Sequence, residues 1–339
     1  MKYQILLLFG SLCMGCVEVN KTDSQPPNIV LFFVDDMGWQ DTSLPFWDQL
    51  TDFNKIYKTP HMERLAKKGV KFTNAYATPV CSPTRVSLMT GMNAARHRVT
   101  NWTLKPDQKQ PMELNHPSLE FPDWNYNGIG LDLSTANTAF AKPLPQLLSD
   151  NGYYTIHAGK AHFGAIGYPS SNPLNLGFKV NIAGHAAGAP ESYLGRENFG
   201  NGKIGKEVWA VPGLEKYHGQ DLFLTEALTQ EVLTALDKPI LDKQPFFIYF
   251  ALYGLHTPLM ANDRLVEPYR KMGLEEPEAR YASMIESMDE ALGNVLNYLE
   301  ENDQEDNTVI LFMSDNGGLS AVARGGEKHT HNLPLKSGK

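Results

Sequence analysis

Asn28-Ile29-Val30-Leu31-Phe32-Phe33-Val34-Asp35-Asp36 is an unbroken apolar run of strand length that stops on two adjacent carboxylates. A strand with one wet face alternates apolar and polar residues. A run without alternation predicts a strand covered on both faces, as in a parallel sheet between layers of helices. Open α/β sheets carry their sites at the C-terminal tips of their strands, which is where Asp35 and Asp36 fall. The same arrangement recurs downstream. Residues 153–158 read as a strand leading into Gly159-Lys160-Ala161-His162, and residues 245–252 as one running out at Gly254-Leu255-His256-Thr257-Pro258. Residues 308–313 read as a strand ending at Ser314-Asp315-Asn316-Gly317-Gly318.

Between these runs the period changes. Thr59-Pro60-His61-Met62-Glu63-Arg64-Leu65-Ala66 opens a short helix ending near Gly69, and residues 144–150 form another. Residues 221–236 read as a helix with Thr225, Thr229 and Gln230 on its polar side. Residues 278–300 place Met284, Met288, Leu292, Val295 and Leu299 near one face, a core stripe. A further strand is expected over residues 70–77. Residues 101–138 and 164–220 lack a period and predict long irregular segments, the second a pocket wall. Strands alternating with helices give an α/β fold with a large, mostly parallel sheet flanked by helices on both sides.

With 339 residues, 42% hydrophobic and 20% charged, the chain can bury a large core in one or two domains. Its net charge of −8 argues against a nucleic-acid binder, and leaves recognition of an anionic small substrate to local cations. Of the cysteines, Cys13 and Cys16 are near the N-terminus, and if both are lost or lipidated, Cys81 stands alone in the mature body without an internal disulfide partner. Around it, Cys81-Ser82-Pro83-Thr84-Arg85 reads as a helix start. Pro83 suits the first helical position, and helix-compatible residues follow over 85–95. The side chain at 81 then faces the positive end of a helix, a natural place for an anionic group.

The pattern Cys-x-Pro-x-Arg resembles the signature of type I sulfatases, and its context keeps that family's order. Phe72-Thr73-Asn74-Ala75-Tyr76 precedes it and Ser87-Leu88-Met89-Thr90-Gly91 follows it. The resemblance runs from about Asn28 to Lys339 and implies an alkaline-phosphatase-like sandwich. It also implies that Cys81 is oxidised to formylglycine by a formylglycine-generating, sulfatase-maturing enzyme. Asp35, Asp36, Asp315 and Asn316, with residue 81, would hold the family's metal, usually calcium. On chemistry alone, hard oxygen ligands with excess negative charge from two strand ends suit Ca2+ or Mg2+.

By the same resemblance, a hydroxyl of the hydrated aldehyde attacks sulfur, the alcohol departs, and deprotonation of the second hydroxyl expels sulfate. Arg85 would hold the modified side chain, and Lys160 would contact sulfate. His162 would be the base for the second hydroxyl, and His256, in His-x-Pro, the general acid at the leaving oxygen. An i, i+2 spacing in extended chain directs Lys160 and His162 to one side. Asn332-Leu333-Pro334-Leu335-Lys336-Ser337-Gly338-Lys339 resembles the family's Pro-Leu-Arg-x-x-Lys element. Lys336 stands in place of the Arg, and Lys339 aligns with a sulfate-contacting lysine. As the last residue, Lys339 is expected to fray.

The implied function is sulfate-ester hydrolysis on a sulfated saccharide. The alternatives are a phosphate or phosphonate ester hydrolase of the same superfamily and a non-catalytic carbohydrate-binding protein. Lys2, the apolar residues 5–12 and Gly15-Cys16 resemble a bacterial lipoprotein signal. Residues 1–15 then form a signal peptide, 16–27 a polar tether, and 28–339 the family's N-terminal catalytic domain, incomplete at its C-terminus and without the family's smaller second domain. This places the protein in the periplasm or cell envelope, touching the membrane only through an N-terminal lipid. His329 and His331 form a His-x-His in a polar loop.

Overall fold

A computed structural model describes residues 25–108, 117–118, 124–318, 332, 334–335 and 338–339. The signal peptide, Cys16, most of the tether, His329, His331 and Lys336 lie outside the described residues. In chain order the elements are β1 (Asn28–Val34), α1 (Pro60–Lys68), α2 (Cys81–Thr90), α3 (Ala94–His97), β2 (Ile129–Gly130), β3 (Ala139–Phe140) and α4 (Leu144–Asp150). There follow β4 (Tyr154–Gly159), β5 (Val180–Ile182), α5 (Leu224–Leu241), β6 (Phe246–Ala251), α6 (Val266–Lys271), α7 (Glu276–Glu301) and β7 (Thr308–Ser314).

The main sheet runs β5-β4-β6-β1-β7, and every pairing in it is parallel. β1 is hydrogen-bonded on both edges and packed on both faces, which is why its sequence never alternates. Val30, Phe32 and Val34 face a core shared with Leu228 and Val232 of α5 and with Ile285, Met288 and Leu292 of α7. Leu31 and Phe33 face the opposite layer, with Val86 and Met89 of α2 and with Leu144 and Leu148 of α4. Each such side chain, fully buried, contributes about 1.5–3 kcal/mol. The expected helix-flanked parallel sheet is what the chain adopts, and the α7 methionine stripe is buried in its core.

Register sets up the site. Phe33 pairs with Ala251, Val34 with Ser314, and Gly159 with Ala251, so the tips of β1, β4, β6 and β7 end level. Asp35 and Asp315 therefore emerge from neighbouring strands, and Lys160 emerges at the same level across β6. Gly159 makes the last step of β4 at φ 90°, and a Cβ there would stand 1.9 Å from the Ala251 carbonyl oxygen.

Several expectations need correction. α2 begins at Cys81, so Pro83 is its third residue, and the helix stops at Gly91 (φ 68°) rather than continuing to 95. Residues 70–77 form no strand. Phe72 and Tyr76 are 72% and 92% exposed, and without a neighbouring ladder an alternating sequence has nothing to pair with. The segment 164–220 contains β5, too short to show a period. On α5, Thr225 and Thr229 are buried rather than solvated. The Thr229 hydroxyl donates to the Thr225 carbonyl at 2.7 Å, which lets its methyl face the core.

Candidate active site

The level strand tips bring together carboxylates that would repel one another in isolation. Asp35 and Asp36 end β1 and Asp315 ends β7, and all three are fully buried. Cations interleave with them. The Arg85 guanidinium donates from Nε at 3.0 Å and from Nη2 at 2.8 Å to Asp315 Oδ2, and from Nη1 at 2.8 Å to the Lys160 carbonyl. It also lies 5.0 Å over the Phe33 ring, a dry setting that suits guanidinium better than ammonium. The Lys160 ammonium pairs with Asp35 Oδ2. Lys339 Nζ sits 2.9 Å from Asp36 Oδ1 with 6% of its side chain exposed. Lys339 is therefore docked rather than frayed. Its backbone N–H donates to Gly318, and Asn332 clamps Gly318 from both its amide groups, tying the last residues to the Asp315-Asn316 turn.

The charges set the protonation states. Burial pushes the Asp36 carboxyl up, but Lys339 and His256 together hold it below the usual range. Asp315 is raised by burial and by Asp35, with Arg85 opposing. Burial disfavours the Lys339 cation, yet Asp36 and its neighbours keep it firmly charged. His256 is depressed by burial and then by Lys339, with Asp36 opposing; its side chain retains 20% exposure. Its Nδ1 lies 2.8 Å from the Thr257 carbonyl, so that nitrogen carries the hydrogen and Nε2, 3.8 Å from Asp36 Oδ2, is free for proton transfer.

His162 is held well below its ordinary value by burial and by Lys160 and Arg85, and stays neutral. Its Nε2 donates to the Thr103 carbonyl at 2.7 Å, leaving Nδ1 buried and unpartnered. The extended i, i+2 geometry expected for Lys160 and His162 does not hold, because His162 takes a left-handed φ of 54°. That turn sends its ring toward Thr103 while Lys160 reaches Asp35.

Cys81 heads α2 and is buried, and a sulfur there lies with ligand oxygens of Asp35 and Asp315 within 4.8 Å of one another. Asp35, Asp36 and His256 form a second such group. Asp35 Oδ1 and Asn316 Oδ1 are buried without a hydrogen-bond partner, and an orphaned oxygen on each of two strand tips is what a hard cation would satisfy. The residues thus fit a Ca2+- or Mg2+-type ion. Sequence reasoning missed Thr103 and Tyr249, whose hydroxyl accepts from Arg85 at 3.4 Å. It also missed Gly188, where a Cβ would stand 2.4 Å from the His162 ring. All three act through the fold, with no motif around them.

The parallel-sheet edge thus carries a buried carboxylate cluster, fixed cations and two neutral imidazoles. This chain belongs to the sulfatase family, whose model matches residues 27–335. It is similar to arylsulfatase J of Mus musculus, 27% identical over 98% of this chain and 51% of that protein. It is likewise similar to N-acetylgalactosamine-6-sulfatase of Canis lupus familiaris, 27% identical over 99% of this chain and 58% of that protein. The crystal structure of Ps i-CgsB in complex with k-i-k-neocarrahexaose superposes with a TM-score of 0.67 at 28% identity, covering 93% of this chain and 62% of that one. The chain spans little more than half the length of these relatives.

Proposed function

We propose that this chain carries the catalytic site of a sulfuric ester hydrolase acting on a sulfated saccharide. The observation that carries the reading is the seat of Cys81. It stands at the N-terminus of α2, beside Asp35 and Asp315, with Arg85 one turn further along the same helix. In this reading Cys81 is converted to formylglycine by a maturing enzyme, and its hydrate supplies the hydroxyl that attacks sulfur. A calcium ion held by Asp35, Asp36, Asp315 and Asn316 would supply positive charge to the sulfate oxygens.

Arg85, locked by Asp315 and the Lys160 carbonyl, fixes the orientation of residue 81. Lys160 and Lys339 present preorganised positive charge to the nonbridging oxygens, in a dry site where such charge acts strongly. His256 offers Nε2 as the acid at the departing alcohol, its proton affinity raised when a negatively charged ester binds beside it. His162, neutral with Nδ1 free, is suited to accept the proton of the second hydroxyl. The saccharide is supported by the k-i-k-neocarrahexaose bound to Ps i-CgsB and by the N-acetylgalactosamine-6-sulfatase relatives. Export to the bacterial envelope as a lipoprotein is part of the same proposal, supported by the pattern around Cys16.

Mass spectrometry of the Cys81 peptide from protein co-produced with a maturing enzyme should show replacement of the thiol by an aldehyde. Sulfate release from 4-nitrophenyl sulfate should exceed phosphate release from 4-nitrophenyl phosphate. An unmodified thiol would favour a carbohydrate-binding protein, and preference for the phosphate ester would assign the site to phosphoryl chemistry.

A further inference from the structure

The chain that follows α3 is strapped to α2 at two places. His97 Nδ1 accepts from the Val99 N–H at 3.0 Å, so Nε2 carries the hydrogen, and it lies 2.9 Å from Ser87 Oγ and 3.2 Å from the Pro83 carbonyl. Further along, the Thr103 N–H donates to Ser82 Oγ at 3.1 Å, and the two hydroxyl oxygens stand 3.4 Å apart. Ser82 and Thr103 are both fully buried. The second contact is unusual for its place in the helix. A serine in or before a first turn ordinarily turns its hydroxyl to the free N–H groups of its own helix. Val80, at the N-cap of α2, offers no capping side chain, and the Ser82 hydroxyl nevertheless turns outward to Thr103.

The other side of Thr103 carries the consequence. Its carbonyl accepts from His162 Nε2 at 2.7 Å, and that bond keeps the hydrogen on Nε2 and leaves Nδ1 with its lone pair. Ser82 thus fixes Thr103 by its N–H, and Thr103 fixes the imidazole by its carbonyl. One intervening residue separates the neighbour of Cys81 from the ring of His162. Cys81, Ser82 and Arg85 share the first turns of α2, so the helix that carries residue 81 and its guanidinium clamp also sets the seat of the imidazole.

We propose that Ser82 is a positioning residue for the second half of the reaction: it holds Thr103, and through it the Nε2–H form of His162, in place relative to residue 81. This rests on the sulfatase reading, since His162 is a base only in that reaction. Once the alcohol has left, residue 81 carries sulfate on one oxygen and a hydroxyl on the same carbon. The hydroxyl proton passes to His162 Nδ1, the freed electron pair forms the carbonyl, and the C–O bond to sulfate breaks. Without the Ser82 hydroxyl the Thr103 N–H loses its buried acceptor, a state that favours movement of the strap. The His162 ring then loses its fixed donor contact, while the groups that serve the first half, His256 and the cations, keep theirs.

The test uses protein co-produced with a maturing enzyme, with rates expressed per aldehyde as counted in the mass spectrum of the residue-81 peptide. Ser82→Ala removes one oxygen. On 4-nitrophenyl sulfate it should lower kcat at least tenfold while kcat/KM stays within threefold, because nitrophenol departs before His162 is needed. Rapid mixing should show a burst of nitrophenol and then a slower steady rate, with sulfate retained on the residue-81 peptide after quenching. Thr84→Val removes a contact of the same helical turn, to the Thr78 N–H at 3.1 Å, and should show no burst. A parallel fall in kcat and kcat/KM, an unchanged kcat, or the same burst in Thr84→Val overturns the assignment. Absence of wild-type turnover on every sulfate ester overturns the sulfatase reading instead. Nitrogen NMR of the histidine rings then judges the positioning without turnover or aldehyde. His162 should give the Nε2–H signature in wild type and an altered one in Ser82→Ala, and identical His162 signals in the two proteins refute the role of Ser82.

Discussion

Arg85→Met is the most demanding test of the buried charge cluster. The substitution roughly conserves volume but removes the Nε and Nη2 contacts to Asp315 Oδ2 at 3.0 and 2.8 Å. Asp315 is fully buried and already raised above its ordinary value of 3.8, so the variant leaves an unpaired carboxylate in a dry site. Breaking a buried pair from one side costs about 3–5 kcal/mol. The sign of its pH dependence follows. A carboxyl raised further in the folded state binds a proton there that the unfolded chain has released, so the penalty is absent below about pH 4 and grows as pH rises above it. Urea unfolding in EDTA at pH 8 and pH 4.5, followed by tryptophan fluorescence, should show a large deficit against wild type at the higher pH and a smaller one at the lower. Arg85→Lys, which keeps the charge without the two-pronged contact, should fall between. A deficit below about 1 kcal/mol at pH 8, the range of an exposed pair, or one that does not shrink with acid, would refute the placement of Arg85.

Added CaCl2 should raise the unfolding midpoint of wild type, with a gain of about 2.7 kcal/mol at a hundredfold excess over Kd, and Asp35→Asn or Asp36→Asn should abolish most of it in differential scanning fluorimetry. Gly188→Ala should displace the His162 ring, lowering kcat on 4-nitrophenyl sulfate more than tenfold for an overpacking cost of about 1–3 kcal/mol; normal turnover would remove His162 from proton transfer. His157, caged by Phe163, Phe178 and Tyr249, is pushed down to about 3 by burial first and by Arg85 second. Its depressed value makes the unfolded chain the better proton binder, so stability should be fully present above about pH 6.5 and fall below it, by up to ~5 kcal/mol near pH 3. His157→Phe should flatten that slope in urea midpoints measured from pH 8 to 4, and identical slopes would rule the cage out as its source.

The parallel core was readable because burial on both faces writes itself as unbroken apolar runs, as in β1 and β6. The residues at the strand tips were readable for a related reason: a polar group straight after such a run has little to do except serve a site. Contacts made through backbone geometry left no such trace. Nothing near Thr103 announces that its carbonyl will hold His162, and nothing near Gly188 announces a ring against its Cα. The left-handed φ of His162 defeated the alternation rule that applies to extended chain. Residues 70–77 failed for a different reason, since a strand forms only where a neighbour supplies the ladder. At α2, the helix start was read two residues too late, because proline is tolerated throughout the first turn and not at its first residue alone.

The pairing of Lys160 with Asp35 and of Lys339 with Asp36 bears on how the buried carboxylates are held before any ion binds. Asp35, Asp36 and Asp315 are matched by Arg85, Lys160 and Lys339, so the interior carries its own counter-ions and needs no metal for electroneutrality. Folding and ion loading are thereby separable events. A chain stripped by chelator is therefore expected to keep its circular-dichroism spectrum, with the ammonium groups holding the carboxylates in place.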